Sequence, residues 1–96
     1  LFGNTAVEIP YVDNEAIDVT AFKPAYDGDG FILRMNERNG NAAKTNVILP
    51  EKFEIVCETD LLEEEIGNAP KEFEFKPFEI RSFRVKKILR GKNGKF

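Results

Sequence analysis

Phe31-Ile-Leu-Arg-Met-Asn36, entered through Asp27-Gly-Asp-Gly30 and left through Asn39-Gly-Asn41, decides the fold class. Phe31, Leu33 and Met35 fall on one face of an extended chain, and Ile32, Arg34 and Asn36 on the other, as a period of two requires. The glycines on either side tolerate positive φ and mark turns. Asn39-Gly40-Asn41 therefore reads as a hairpin, with residues 43–49 returning alongside and Pro50 stopping them.

The same grammar extends in both directions. Upstream, Ile17, Val19 and Ala21 alternate with Asp18 and Thr20 until Lys23-Pro24. Downstream, Phe53, Ile55 and Cys57 alternate with Glu54, Val56 and Glu58. Residues 60–66 admit one helical turn or an extended acidic edge, and Gly67-Asn68-Ala69-Pro70 reads as a loop. Glu72-Phe-Glu-Phe75 and Phe78 to Val85 resume the strand pattern. Ile80 and Phe83, three apart, would lie on opposite faces unless a bulge near Arg81-Ser82 returned both to the core. Short strands, frequent turns and no amphipathic helix predict one small domain, residues 1–96, folded as an all-β antiparallel β-sandwich.

Composition removes whole classes of chemistry. The 96 residues carry 17 acidic and 14 basic side chains, no His and one Cys. A histidine-based triad, a disulfide scaffold and a CxxC metal site are excluded. The aromatics are nine Phe, two Tyr and no Trp. Phe31, Phe53, Phe73, Phe75, Phe78 and Phe83 read as core rather than as a sugar-stacking platform. Asp27-Gly-Asp-Gly30 lacks the spacing and closing Glu of a calcium loop. No apolar run is long enough for a membrane helix, and the first residues lack a signal peptide's pattern. The chain begins at Leu1 with Met35 its only Met, which points to processing or to a longer parent. Unpaired Cys57 suits a reducing compartment, so the expected location is cytoplasmic. From Arg81 onward there are seven basic residues and no acidic one. In so acidic a domain, the tail at 86–96 reads as a solvated end, and neither nucleic acid nor membrane is an expected partner.

Four ordered segments between 16 and 85 resemble the C-terminal region of family 38 glycoside hydrolases, the retaining α-mannosidases. Gly30-Phe-Ile-Leu-Arg-Met-Asn-Glu-Arg-Asn-Gly40 is similar to that family's "ivRlyE-x-x-G". Asp60-Leu-Leu-Glu63 is similar to "dllE", and Lys76-Pro-Phe-Glu-Ile-Arg-Ser-Phe-Arg-Val85 to "l-x-pfEirTfrl". Ile17-Asp-Val-Thr-Ala-Phe-Lys-Pro-Ala25 with Asp27-Gly28 resembles "vvltalKpaedgdg". Ser82 stands where the family often has Thr, and Met35-Asn36 replaces Leu-Tyr.

The resemblance implies a parent enzyme whose catalytic zinc is held by Asp and His in an upstream α/β domain, where an Asp is the nucleophile. It carries no catalytic, cofactor or metal-binding residue onto this chain. The expected function is that of a non-catalytic C-terminal domain. Its expected partners are the upstream domains of the same polypeptide, with an α-mannoside as the parent's substrate. The alternative is a stand-alone sandwich that binds glycan or protein through its loops. Arg34, Glu37, Glu79 and Arg81 are the charges inside the matching segments. They are candidates for a polar interface or for ion pairs within the sheet, and Glu37 also for fixing the Asn39-Gly40 turn through backbone N–H groups. Adjacent Glu63, Glu64 and Glu65 do not by themselves set two carboxylates about 5–9 Å apart across a glycosidic bond.

Overall fold

The computed structural model describes residues 9–88, which form nine strands and no helix. They are β1 (Tyr11–Val12), β2 (Ile17–Pro24), β3 (Phe31–Glu37), β4 (Ala43–Thr45), β5 (Val47–Ile48), β6 (Phe53–Thr59), β7 (Glu65–Asn68), β8 (Phe73–Phe75) and β9 (Ile80–Lys87). One layer is a five-stranded antiparallel sheet in the order β2-β3-β9-β6-β7. The facing layer consists of two ribbons, β1-β5 and β4-β8. The all-β sandwich is therefore present, with one layer divided.

Leu33, Met35, Phe83 and Val85 from the two central strands are wholly buried, and they pack with Ile17 and Phe75. Phe22, Phe31 and Phe53 close one end of this core. Phe22 and Phe31 are stacked at 5.0 Å, and Phe53 stands edge-on to both. Phe73 meets Phe83 edge-on at 5.2 Å, joining the ribbon layer to the sheet. Each such side chain contributes about 1.5–3 kcal/mol by leaving water.

Several details differ from the sequence reading, and each has a local cause. The Phe31 strand does form, but the 43–49 segment does not return beside it. β3 is already flanked by β2 and β9, so both backbone edges are taken, and the chain crosses into the ribbon layer to pair with β8 and β1. Thr20 is an extra residue between Val19 and Ala21, which pair Met35 and Arg34. That bulge turns Phe22 inward, opposite Leu33, where simple alternation would have placed Ala21.

The bulge expected near Arg81-Ser82 lies instead in the neighbouring strand, at Val56 between Ile55 and Cys57. β9 runs in unbroken register with β3, so Ile80 stays outward and 54% exposed while Phe83 is buried. Because of Val56, Cys57 pairs with Arg84 on the face away from Ile55 and Val85. Phe78, expected in the core, is 67% exposed. Of the two readings of residues 60–66, the extended edge holds for Glu65 and Ile66, which open edge strand β7, while 61–64 make a turn rather than a helix; Gly67 and Asn68, read as loop, belong to the same strand. Lys86 and Lys87 lie in β9 and Ile88 directly follows it, while residues 89–96, like residues 1–8, fall outside the described residues.

Candidate functional site

The outer face of the main sheet is covered by its own loops. The turn after β2 and the turn after β6 fold over it from opposite ends and meet at Glu63. The Glu63 carboxylate takes the Lys23 ammonium and, at 2.6 Å, the backbone N–H of Tyr26. Its backbone carbonyl accepts from the Arg84 guanidinium at 3.0 Å. Arg84 also donates to the Asp27 carboxylate (3.1 Å) and the Asp29 carbonyl (2.6 Å), and Lys86 pairs with Asp29 at 3.0 Å. Beneath this lattice Ile32 is wholly buried and Cys57 nearly so.

The lattice shifts its own titrations. Glu63 is held below the ordinary carboxylate range, first by the hydrogen bond from Lys23 and then by that from Tyr26. Asp27 is lowered by the Asp29 N–H and by Arg84, and Arg84 is raised in turn by Asp27.

The four charges singled out in the sequence do not form one seam. Arg34 lies on the outer face, where its Nε donates to Ser82 Oγ at 3.1 Å. Thr59 sits opposite Ser82 with its hydroxyl buried and without a hydrogen-bond partner. Arg81 and Glu37 belong to the inner face. Arg81 forks onto Glu58 (2.9 and 2.6 Å), donates to the Glu74 carbonyl, and lies 5.3 Å from the Phe83 ring centre and 5.8 Å from that of Phe75. Its affinity for the proton is raised chiefly by the bond to Glu58. Glu79 turns its carboxylate back to the Lys76 N–H at 2.8 Å.

Glu37 is the most enclosed charge among the described residues, with no exposed surface. Its Oε1 accepts from the backbone N–H groups of Gly40 (2.8 Å), Asn41 (3.2 Å) and Phe78 (2.8 Å), and its Oε2 from that of Asn39 (2.8 Å). Burial opposes its ionisation and is the largest single influence. The four donors together outweigh it and keep the pKa below the usual value. One carboxylate thus fastens its own turn to the Phe78 loop, 41 residues further along the sequence. The turn at Asn39-Gly40 is held as expected, but so is the Phe78 loop, which the sequence alone did not connect to it.

A groove of about 490 Å³ in the ribbon layer is lined by Asp13, Lys44, Thr45, Asn46, Lys71 and Phe73, among others. Asp13 is committed to Asn46 and Thr45, and the Asn46 bonds hold its pKa low. Among the described residues, no three His, Cys, Asp or Glu side chains converge as a metal ion would require.

Three of the four family-like segments thus become adjacent strands, β2-β3-β9, and the fourth is the turn whose Glu63 clasps β2 and β9. Residues 16–83 match the family described as "Glycosyl hydrolases family 38 C-terminal beta sandwich domain". The chain belongs to that family. This GH38 C-terminal β-sandwich domain is also 37% identical, over 81 residues, to α-mannosidase G of Dictyostelium discoideum. The alignment covers 75% of this chain but only 7% of that relative. No solved structure gives a significant match.

The sequence reading missed Glu58, Lys23 and Arg84 as partners in the domain's charge lattice. Arg84 and Lys23 were already inside the family-like segments, flanking apolar strand residues, and that placement was the available signal. Glu58 gave none, because its pairing with Arg81 depends on the Val56 bulge.

Proposed function

We propose that this domain is a non-catalytic support of a larger α-mannosidase: it docks against upstream domains of its own polypeptide and holds part of the substrate cleft in shape. The parent would hydrolyse α-mannosidic bonds with retention, using a zinc ion. This chain does not fit that metal, since it has no His and, among the described residues, no three acidic side chains converge. Zinc and nucleophile would therefore reside elsewhere in the parent. A cytoplasmic setting is part of the proposal and rests on the free, buried Cys57.

The observation that carries the reading is what the enclosed charges do. Glu37, Glu58 and Glu63 are each bound to backbone donors or cations of the fold itself. Carboxylates so committed stabilise a scaffold; they are not poised to give or take a proton at a glycosidic oxygen. A scaffold influences catalysis indirectly, since a displacement of about 1 Å at the reacting atoms can cost on the order of a hundredfold in rate.

The test is to remove the domain from the parent enzyme, and separately to restore it as a second chain. Truncation is expected to lower both α-mannoside hydrolysis and the thermal midpoint, with partial recovery on adding the domain back. A truncated enzyme of full activity and unchanged stability would overturn the proposal.

A further inference from the structure

The exposed apolar side chains are unevenly distributed. Of the eight large ones among the described residues, Leu61, Leu62, Ile66, Phe78 and Ile80 belong to one end of the main sheet, each between 54% and 82% exposed. Their common location follows from register. Ser82 pairs with Thr59 and Thr59 with Glu65, so the start of β9, the 61–64 turn and the start of β7 share that end. Exposed apolar side chains concentrated toward one end of a sheet mark a candidate interaction surface.

Two backbone features mark the same end. Phe78 has φ 59°, a conformation costly for a bulky residue, which the bond from its N–H to Glu37 holds in place, and its side chain is left largely exposed. Gly67 lies in edge strand β7 with no positive φ, and a Cβ there would meet nothing within 4 Å. The fold does not need glycine at that position. A strand glycine of this kind often marks close approach by another backbone.

We propose that this end of the sheet is the surface by which the domain seats against an adjoining domain of its own polypeptide. The partner would offer an apolar hollow rimmed by Lys or Arg. Charge argues for that occupant. Glu64 and Glu65 flank the apolar side chains, are exposed, and enter no ion pair among the described residues. Lys76 adds one exposed cation beside Phe78, so the acidic part of the rim is the β7 side, which Lys or Arg of the partner complements there. Length argues likewise: the matched relative extends far beyond the 7% aligned here, so a tethered neighbour is present at high effective concentration. The inference rests on the docking role above and adds the surface and the chemistry of its counterpart.

Hydroxyl-radical footprinting of the intact parent polypeptide tests it, with exposed Tyr11 on β1 as the internal standard. Leu61, Leu62, Ile66, Phe78 and Ile80 should be labelled several-fold more slowly, after correction for intrinsic reactivity, than in the 96-residue chain alone. Leu62→Lys should restore labelling at the other four in the intact polypeptide while leaving the 96-residue chain's melting midpoint unchanged. Protection confined to other faces would overturn this surface and leave docking standing. No protection on any face would overturn both.

Discussion

At the scale of single residues, Glu37 concentrates the most consequence in the fewest atoms. Four backbone N–H groups converge on a carboxylate with no access to water, so no solvent can replace it if it is altered. Glu37→Gln keeps the shape but removes the charge and sets an NH2 group against at least one backbone N–H donor, and is expected to lower the melting midpoint by at least about 8 °C, read by circular dichroism. An unchanged midpoint would show that the loops hold themselves. The same residue contributes to acid sensitivity. Glu37, Glu63, Asp27 and Asp13 all have folded pKa values below their ordinary ones, so the unfolded chain binds more protons as the pH falls. Their stabilisation is complete above the unfolded values, near pH 4, and is lost as pH falls through the folded ones. Urea midpoints between pH 7 and 2 should decline in that window, and less steeply in Glu37→Gln.

At the scale of elements, the glycines separate steric demand from backbone demand. Gly30 has φ 84°, and a Cβ would come 2.6 Å from the Val85 carbonyl oxygen, which is fixed in the central strand. Gly40 has φ 82°, and a Cβ would come 2.8 Å from the Phe78 ring, which can swing aside because it is exposed. Gly28 has φ 80° and open space. Alanine scanning should therefore rank the losses Gly30 > Gly40 > Gly28, the last costing about 1 kcal/mol from φ alone. Gly67→Ala should be neutral or stabilising in the 96-residue chain, by up to about 1 kcal/mol. Equal losses at Gly30 and Gly28 would contradict the close approach to Val85.

These elements also show where sequence legibility stops. The faces of Phe31, Leu33 and Met35 could be read because alternation is a local property. The Thr20 and Val56 bulges could not, since neither carries a residue type that demands one and both arise from fitting twisted strands together. Strand pairing was lost for a related reason: 43–49 follows a good turn, but which strand lies beside it depends on β9, more than thirty residues further on. At the candidate site, the matching segments were visible as text. That they assemble into one clasped unit around Glu63 required the fold.

At the scale of the whole molecule, stability hangs on one seam. Phe83 is wholly buried, meets Phe73 across the sandwich and lies under the Arg81 guanidinium. Phe83→Ala should cost about 3–5 kcal/mol, a large share of the 5–15 kcal/mol that a domain commands. Denaturant titration is expected to show the variant partly or wholly unfolded in water. A loss under about 1 kcal/mol would mean that the ribbon layer, rather than the sheet, organises the core. The order β2-β3-β9-β6-β7 has a further consequence for synthesis. The strand at the centre of the sheet is the last of the nine to be translated, so β3 and β6 leave the ribosome with their shared neighbour still missing. Until β9 emerges, two apolar strands carry unpaired edges, the condition in which nascent chains recruit chaperones or pair wrongly. A premature stop after Phe75 would therefore remove the keystone of the sheet rather than a border, and the shortened product should be degraded instead of accumulating.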